Sequence, residues 1–199
     1  MYKFLVFCLL VMLCFCSDRG VVGYVNLEVA GIKYVIPASF LIGDDIDGGI
    51  QDEVTLYFAF PSMQPTVREP KYEFIRNGEV MWAMLSTRGR DAEEWRAIAL
   101  ENWADEIIEQ VQQGNLTIYR TNARHFLNYY FLNSGDNKLF FSCTKEDQTY
   151  HAMCNSSKTE ISPGVFLSYY FSIKLLHEVA NFSPKVLQLL DHFNMEVKQ

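Results

Sequence analysis

Residues 138–172, KLFFSCTKEDQTYHAMCNSSKTEISPGVFLSYYFS, constrain the fold more than any other stretch. They read as three successive strands, over 138–143, 149–155 and 165–172, with polar turns between them. Strands joined this closely pair antiparallel. The stretch also holds Cys143 and Cys154, the two cysteines outside the N-terminal segment. With the TKEDQ turn between them, the two positions face each other across a hairpin, close to the separation a disulfide needs. In a reducing compartment the same pair would be two buried thiols. A zinc site is the weakest reading, because His151 is the lone imidazole nearby.

The N-terminus speaks to the compartment. MYK is followed by the apolar run FLVFCLLVMLCFC over residues 4–16, which ends at Ser17-Asp18-Arg19-Gly20. This run is shorter than the roughly twenty residues that span a bilayer and matches the core of a secretory signal. Residues 1–17 therefore read as a signal peptide or N-terminal membrane anchor, and residues 18–199 as a single α+β domain outside the cytoplasm. Phe15 precedes Cys16 and Leu13 precedes Cys14, where a lipoprotein signal places a small residue. Cleavage, lipidation at Cys16 and retention as an anchor all stay open.

The chain carries 17 Lys and Arg against 24 Asp and Glu, a net charge of −7. No basic run offers a footprint for nucleic acid or a face for anionic lipid, so the N-terminal segment is the one expected membrane contact. With 15 Phe and 11 Tyr, the composition leans toward strands.

In chain order, residues 21–30 and 32–37 form an opening hairpin about Gly31. Residues 43–53, GDDIDGGIQDE, form an acidic loop, and 53–60 a strand with Val54, Leu56, Phe58 and Phe60 on one face. KYEFIR (71–76) and EVMWAMLS (79–86) read as a hairpin about Asn77-Gly78. Asp91 caps a helix expected to run over 92–113 and to stop at Gly114, with Leu100, Trp103, Ala104, Ile107 and Val111 on its buried side. Strands at 116–119 and 125–132 lead into the disulfide region. Ser183-Pro184 opens a last helix with Val186, Leu187, Leu190 and Phe193 as its apolar stripe, preceded by a helical turn near Leu175. The expected fold is α+β: an antiparallel sheet, a meander with hairpins, packed against two main helices on one face.

Few groups carry chemistry. His177-Glu178-Val179-Ala180-Asn181 misses the HExxH zinc motif at its second histidine, so the expected reading is a surface pair. No G-x-S-x-G elbow, P-loop or Rossmann glycine pattern occurs; no catalytic residue, metal or cofactor is expected. Asp44, Asp45, Asp47, Asp52 and Glu53 make a solvated acidic loop, a contact for a basic protein partner, or a calcium loop whose spacing departs from the EF-hand. Asn115, Asn155 and Asn181 sit in glycosylation sequons, which matter in a eukaryotic source.

The leader, the opening GYVNLEVAGIKYVIPASFLI, FAFPSMQP, the Cys143/Cys154 hairpin and the ending GVFLSYYFSIKLLHEV with VLQLLDHF resemble a group of small exported proteobacterial proteins. Some of that group serve as immunity proteins against type VI secretion effectors. The resemblance implies a periplasm-facing domain that binds and blocks a protein toxin with a basic or polar cleft, and it carries over no catalytic residues. On that reading the acidic loop is the expected contact. An envelope hydrolase, and a structural envelope protein or secreted glycoprotein, are the competing classes.

Overall fold

The computed structural model of the protein describes residues 23–66, 75, 77–145 and 152–194. The expected leader therefore lies outside the described residues.

Two antiparallel strands open the fold: β1 (Tyr24–Val29) and β2 (Ile32–Pro37). Their two-residue turn has φ of 50° at Ala30 and 83° at Gly31. Both positive values suit a tight turn that follows the twist of the strands. The two-residue β3 (Gly49–Ile50) pairs with β1 in parallel and completes a small sheet in the order β2-β1-β3.

The main sheet uses the remaining strands: β4 (Glu53–Ala59), β5 (Gln64–Pro65), β6 (Val80–Ser86), β7 (Ile107–Gln113), β8 (Leu116–Thr121), β9 (Leu127–Ser134), β10 (Asn137–Thr144), β11 (Met153–Ser156), β12 (Thr159–Ser162) and β13 (Val165–Ser172). Their order is β5-β4-β6-β13-β11-β10-β9-β8-β7, with β12 also paired to β13. Every pairing in this sheet is antiparallel. The expected meander holds from β9 through β10 and β11 to β13, and β8 and β7 extend it at the other end.

The strand expected over 71–76 falls mostly outside the described residues. Residues 71–74 and 76 lie outside the described residues, but Ile75 is helical, and β6 is flanked by β4 on one side and β13 on the other. β4 covers one side of β6 over Val80–Ser86 and β13 the other over Trp82–Ser86. Gly78, at φ 77°, instead turns the chain with its N–H donating to the Ile75 carbonyl at 2.9 Å.

The helix expected over 92–113 also stops short. Helix α1 spans Ala92–Asn102; Asp91 caps it by accepting from the Glu93 N–H at 2.6 Å, and Glu93 and Glu94 occupy its first turn. A 3-10 turn over Ala104–Glu106 then leads into β7. Ile107 and Val111 are four residues apart, a spacing that fits one face of a helix and equally an even step along a strand. Ile107, Ile108 and Val111 are β-branched, and the strand wins. Gly114, at φ 59°, is the first of two turn residues between β7 and β8; a helix end and a tight hairpin both call for positive φ there.

At the C-terminus a 3-10 segment, Ile173–Asn181, runs directly into α2 (Phe182–Phe193). The residue before α2 is Asn181, so Ser183 lies inside the helix rather than capping it. Phe182, Val186, Leu190 and Phe193 form the buried stripe, with Leu187 only half-buried.

Side chains alternate along each strand and build two separate cores. On the inner face, Leu56, Phe58, Met81, Leu85, Leu139, Phe141, Leu167, Tyr169 and Phe171 pack with β1, β2 and α2. Phe182 lies at its centre, 4.8 Å from Phe171 and 5.0 Å from Phe60 between ring centroids. On the outer face, Tyr119, Tyr129, Phe131 and Phe140 receive α1 through the small Ala92 and Ala99. A third, small cluster joins Ile75, Val80 and Met153, with Trp82 and Tyr170 beside it. The two helices therefore lie on opposite faces of the sheet, not on one.

Candidate partner-binding surface

Cys143 and Cys154 are exact cross-strand partners on β10 and β11. Their Cα atoms are 4.0 Å apart and they form a disulfide. Both are buried in the inner core. Residues 146–151, between the two cysteines, lie outside the described residues.

The acidic loop is more structured than its composition suggests. Gly43–Asp47 form a 3-10 turn, and Asp45 Oδ2 accepts from the Thr55 N–H at 2.8 Å, fastening the turn to β4. Asp52 meets Thr87 twice: its carbonyl accepts from the Thr87 N–H at 2.9 Å and its carboxylate from the Thr87 hydroxyl at 3.5 Å. Glu53 pairs with Lys158. Asp47 is exposed, and Ile50, on the two-residue β3, is 82% exposed. Of Asp44 only its place in the 3-10 turn is described. Ile50, Gln51, Asp52 and Glu53, with Thr87 and Arg88, line an open cleft of about 620 Å³. The loop thus has Asp45 tied to β4 and three exposed acids, Asp47, Asp52 and Glu53, the last two paired with Thr87 and Lys158, beside the exposed Ile50.

A second concavity, of about 380 Å³, opens between α1 and the outer face. Trp95, Ile98 and Trp103 contribute from α1 and its end; Met84, Tyr129, Phe140, Ser142, Asn155 and Ser168 contribute from the sheet. Trp103 stacks on Tyr129 at 5.0 Å, and the Tyr129 hydroxyl lies 3.3 Å from His125 Nε2. Burial pushes the Tyr129 phenol up to about 12. The residues lining this groove include no Asp, Glu or His, and its lysine, Lys158, is engaged by Glu53. This groove was not legible in the sequence, because it is made by α1 leaning on strands far from it in the chain.

The histidines are not gathered. His125 sits in the aromatic stack, His177 is largely exposed beside Glu178, and His192 occupies the last turn of α2; His151 lies outside the described residues. Asn181, which replaces the second histidine of the zinc motif, donates to Glu178 Oε2 at 2.8 Å. Among the described residues no group of three or more His, Cys, Asp and Glu could hold a metal ion, and no helix is long and apolar enough to cross a membrane.

The main sheet ends very differently on its two sides. β5 has two residues and finishes in Pro65, close behind the Phe60-Pro61 bond. β7 has seven residues, pairs among the described residues only with β8, and is exposed at five of them.

No protein-family model matches the chain, and no curated protein sequence matches it. A solved structure shares its fold: an immunity protein of the Stenotrophomonas maltophilia type IV secretion system, with a TM-score of 0.61 and 15% sequence identity. The match covers 86% of this chain and 93% of that one.

Proposed function

We propose that this protein is an exported immunity protein, a non-catalytic inhibitor that binds a toxic effector enzyme and occludes its active site. The observation that carries the reading is the chain path shared, over 86% of its length, with an immunity protein. The −7 charge supports a partner with a basic or polar cleft, since complementary fields speed encounter and select the right partner. On this reading the acidic corner of Asp44, Asp45, Asp47, Asp52 and Glu53 makes a first electrostatic contact, led by the exposed Asp47.

The proposed address is the periplasm, with residues 1–17 as leader or anchor. The Cys143–Cys154 bond supports it, because disulfides persist in oxidising compartments. The proposed delivery route is type VI secretion, as the sequence resemblance implies; the structural neighbour works with a type IV system, so the route is tested separately.

The test is genetic. Cells lacking the gene should be killed by sibling cells that deliver the effector encoded beside it, and the restored gene should protect them. Repeating the competition with attackers lacking type VI or type IV secretion assigns the route. If the deletion leaves sensitivity unchanged, the immunity reading fails.

A further inference from the structure

Among the described residues β7 is paired on one side only, by β8. A bare sheet edge presents a row of unpaired N–H and C=O groups, which proteins ordinarily guard with lysine, proline or a very short strand. The far end of the same sheet is guarded in this way, because β5 is two residues long and ends in proline. β7 carries neither lysine nor proline. Its bulge lies between Ile107 and Glu109, so Glu109–Gln113 keep continuous register with β8.

That register fixes which backbone groups are open. Gln113 and Leu116 close a two-residue turn, so their backbones face each other. The Asn115 carbonyl points the other way and accepts from the Asn133 N–H at 2.9 Å. Alternation along the strand then turns Val111 and Glu109 toward β8 as well, and leaves Gln110 and Gln112 turned outward.

Two open residues on either side of Val111 suit a two-fold axis. An antiparallel copy centred there sets Gln110 against Gln112 of the copy and Gln112 against its Gln110, each pair exchanging two backbone bonds. Val111 meets Val111, and the Glu109 carboxylate meets the Gln113 amide, which can donate to it. The two Glu109 residues stand about four residues, roughly 13 Å, apart along the seam, where salt screens their repulsion. An axis at Gln110 would instead set Glu109 against Val111, and one at Gln112 would set it against the turn.

Charge does not call for a foreign strand. Asp105, Glu106 and Glu109 share their end of the sheet with Arg120, Arg124 and Lys145, and Arg120 pairs with Glu109 at 2.8 Å. The edge therefore offers no net charge to draw in a basic or an acidic segment. Its order Glu-Gln-Val-Gln-Gln over 109–113 is complementary to itself. Once two copies join, the continuous sheet ends on β5 at both sides, so the association closes at two.

We infer that the protein forms a two-fold dimer through β7, with Gln110 and Gln112 of each copy exchanging backbone hydrogen bonds across an axis at Val111. The inference stands apart from the immunity reading and does not need it.

The experiment is sedimentation of the full exported chain over a hundredfold range of concentration, with amide exchange read residue by residue. The protein should become a dimer as concentration rises. Amides of Gln110 and Gln112 should then exchange at least tenfold more slowly, while that of Val111, turned toward β8, changes little. Charge tests the axis. Gln110→Lys combined with Gln112→Lys should weaken the dimer at least tenfold, and Gln110→Glu combined with Gln112→Lys should restore it by setting opposite charges across the seam. Both side chains are exposed, so Tm of the monomer should stay within a few degrees. If the lysine pair does lower Tm, Gln110→Pro, which removes only an outward N–H, should break the dimer in its place. A monomer at every concentration overturns the inference, whether the edge amides are fast or are slowed by the chain itself. A dimer that survives both the lysine pair and Gln110→Pro lies elsewhere and overturns it too. Loss of the dimer without rescue by the Glu–Lys combination overturns the axis at Val111.

Discussion

Phe140 and Phe141 are adjacent on β10 and belong to different hydrophobic cores. Phe141 lies inside with Phe171, 5.6 Å away between centroids, while Phe140 stacks outside on Tyr129 at 6.0 Å. The sheet is buried on both faces here, and each face has its own helix.

Replacing each phenylalanine separates the two cores. Phe141→Ala should cost about 3–5 kcal/mol of global stability, read by urea unfolding. Phe140→Ala removes part of the platform under α1 and should instead raise exchange rates in Ala92–Asn102 well before the rest of the molecule loosens. Equal loss of protection in both helices on Phe140→Ala would show that the two cores unfold as one.

Removing the disulfide tests the tie between β10 and β11. Cys143→Ser or Cys154→Ser should lower stability by about 2–4 kcal/mol, chiefly by freeing the unfolded chain. Reductant should produce the same loss in the wild-type protein and none in the variants.

Gly89 gives a steric test. A Cβ at this position would lie 2.4 Å from the Phe166 ring and 2.7 Å from the Lys158 carbonyl. Gly89→Ala should therefore cost about 1–3 kcal/mol and displace Phe166, seen as a lower Tm and altered ring resonances.

Three buried tyrosines set the alkaline limit. Burial raises Tyr129 to about 12 and raises Tyr169 further; burial, aided by Asp191, raises Tyr34. Above their ordinary value of 10.0 the unfolded chain sheds these protons and the folded protein keeps them. Stability should be level with respect to these groups up to pH 10 and fall from there through about pH 12. Urea midpoints measured across that range check the slope, which Tyr129→Phe should flatten.

Local rules carried much of the reading. The β9–β10 turn, the Asp91 cap, the β13 bounds and the cysteine pairing all follow from residues within a few positions of one another. The β7 stretch fits a helix equally well in sequence, because Ile107 and Val111 satisfy two periods at once and Gly114 satisfies two kinds of terminus. The opposite placement of α1 and α2 depends on which face of β10 each meets, and no short stretch records that. The disulfide was legible as a site; the groove at Trp95 and the open edge at β7 follow from strand order, so only the fold displays them.

That order has a bearing on how the molecule assembles. β13 sits between β6 and β11, pairing Ser86 with Phe166 and Tyr170 with Asn155. Before it in the chain the main sheet is two separate blocks, β4 to β6 and β7 to β11, which no other strand among the described residues joins. β13, made after the other strands of the sheet, is thus the keystone, and the two blocks stay apart until it joins them.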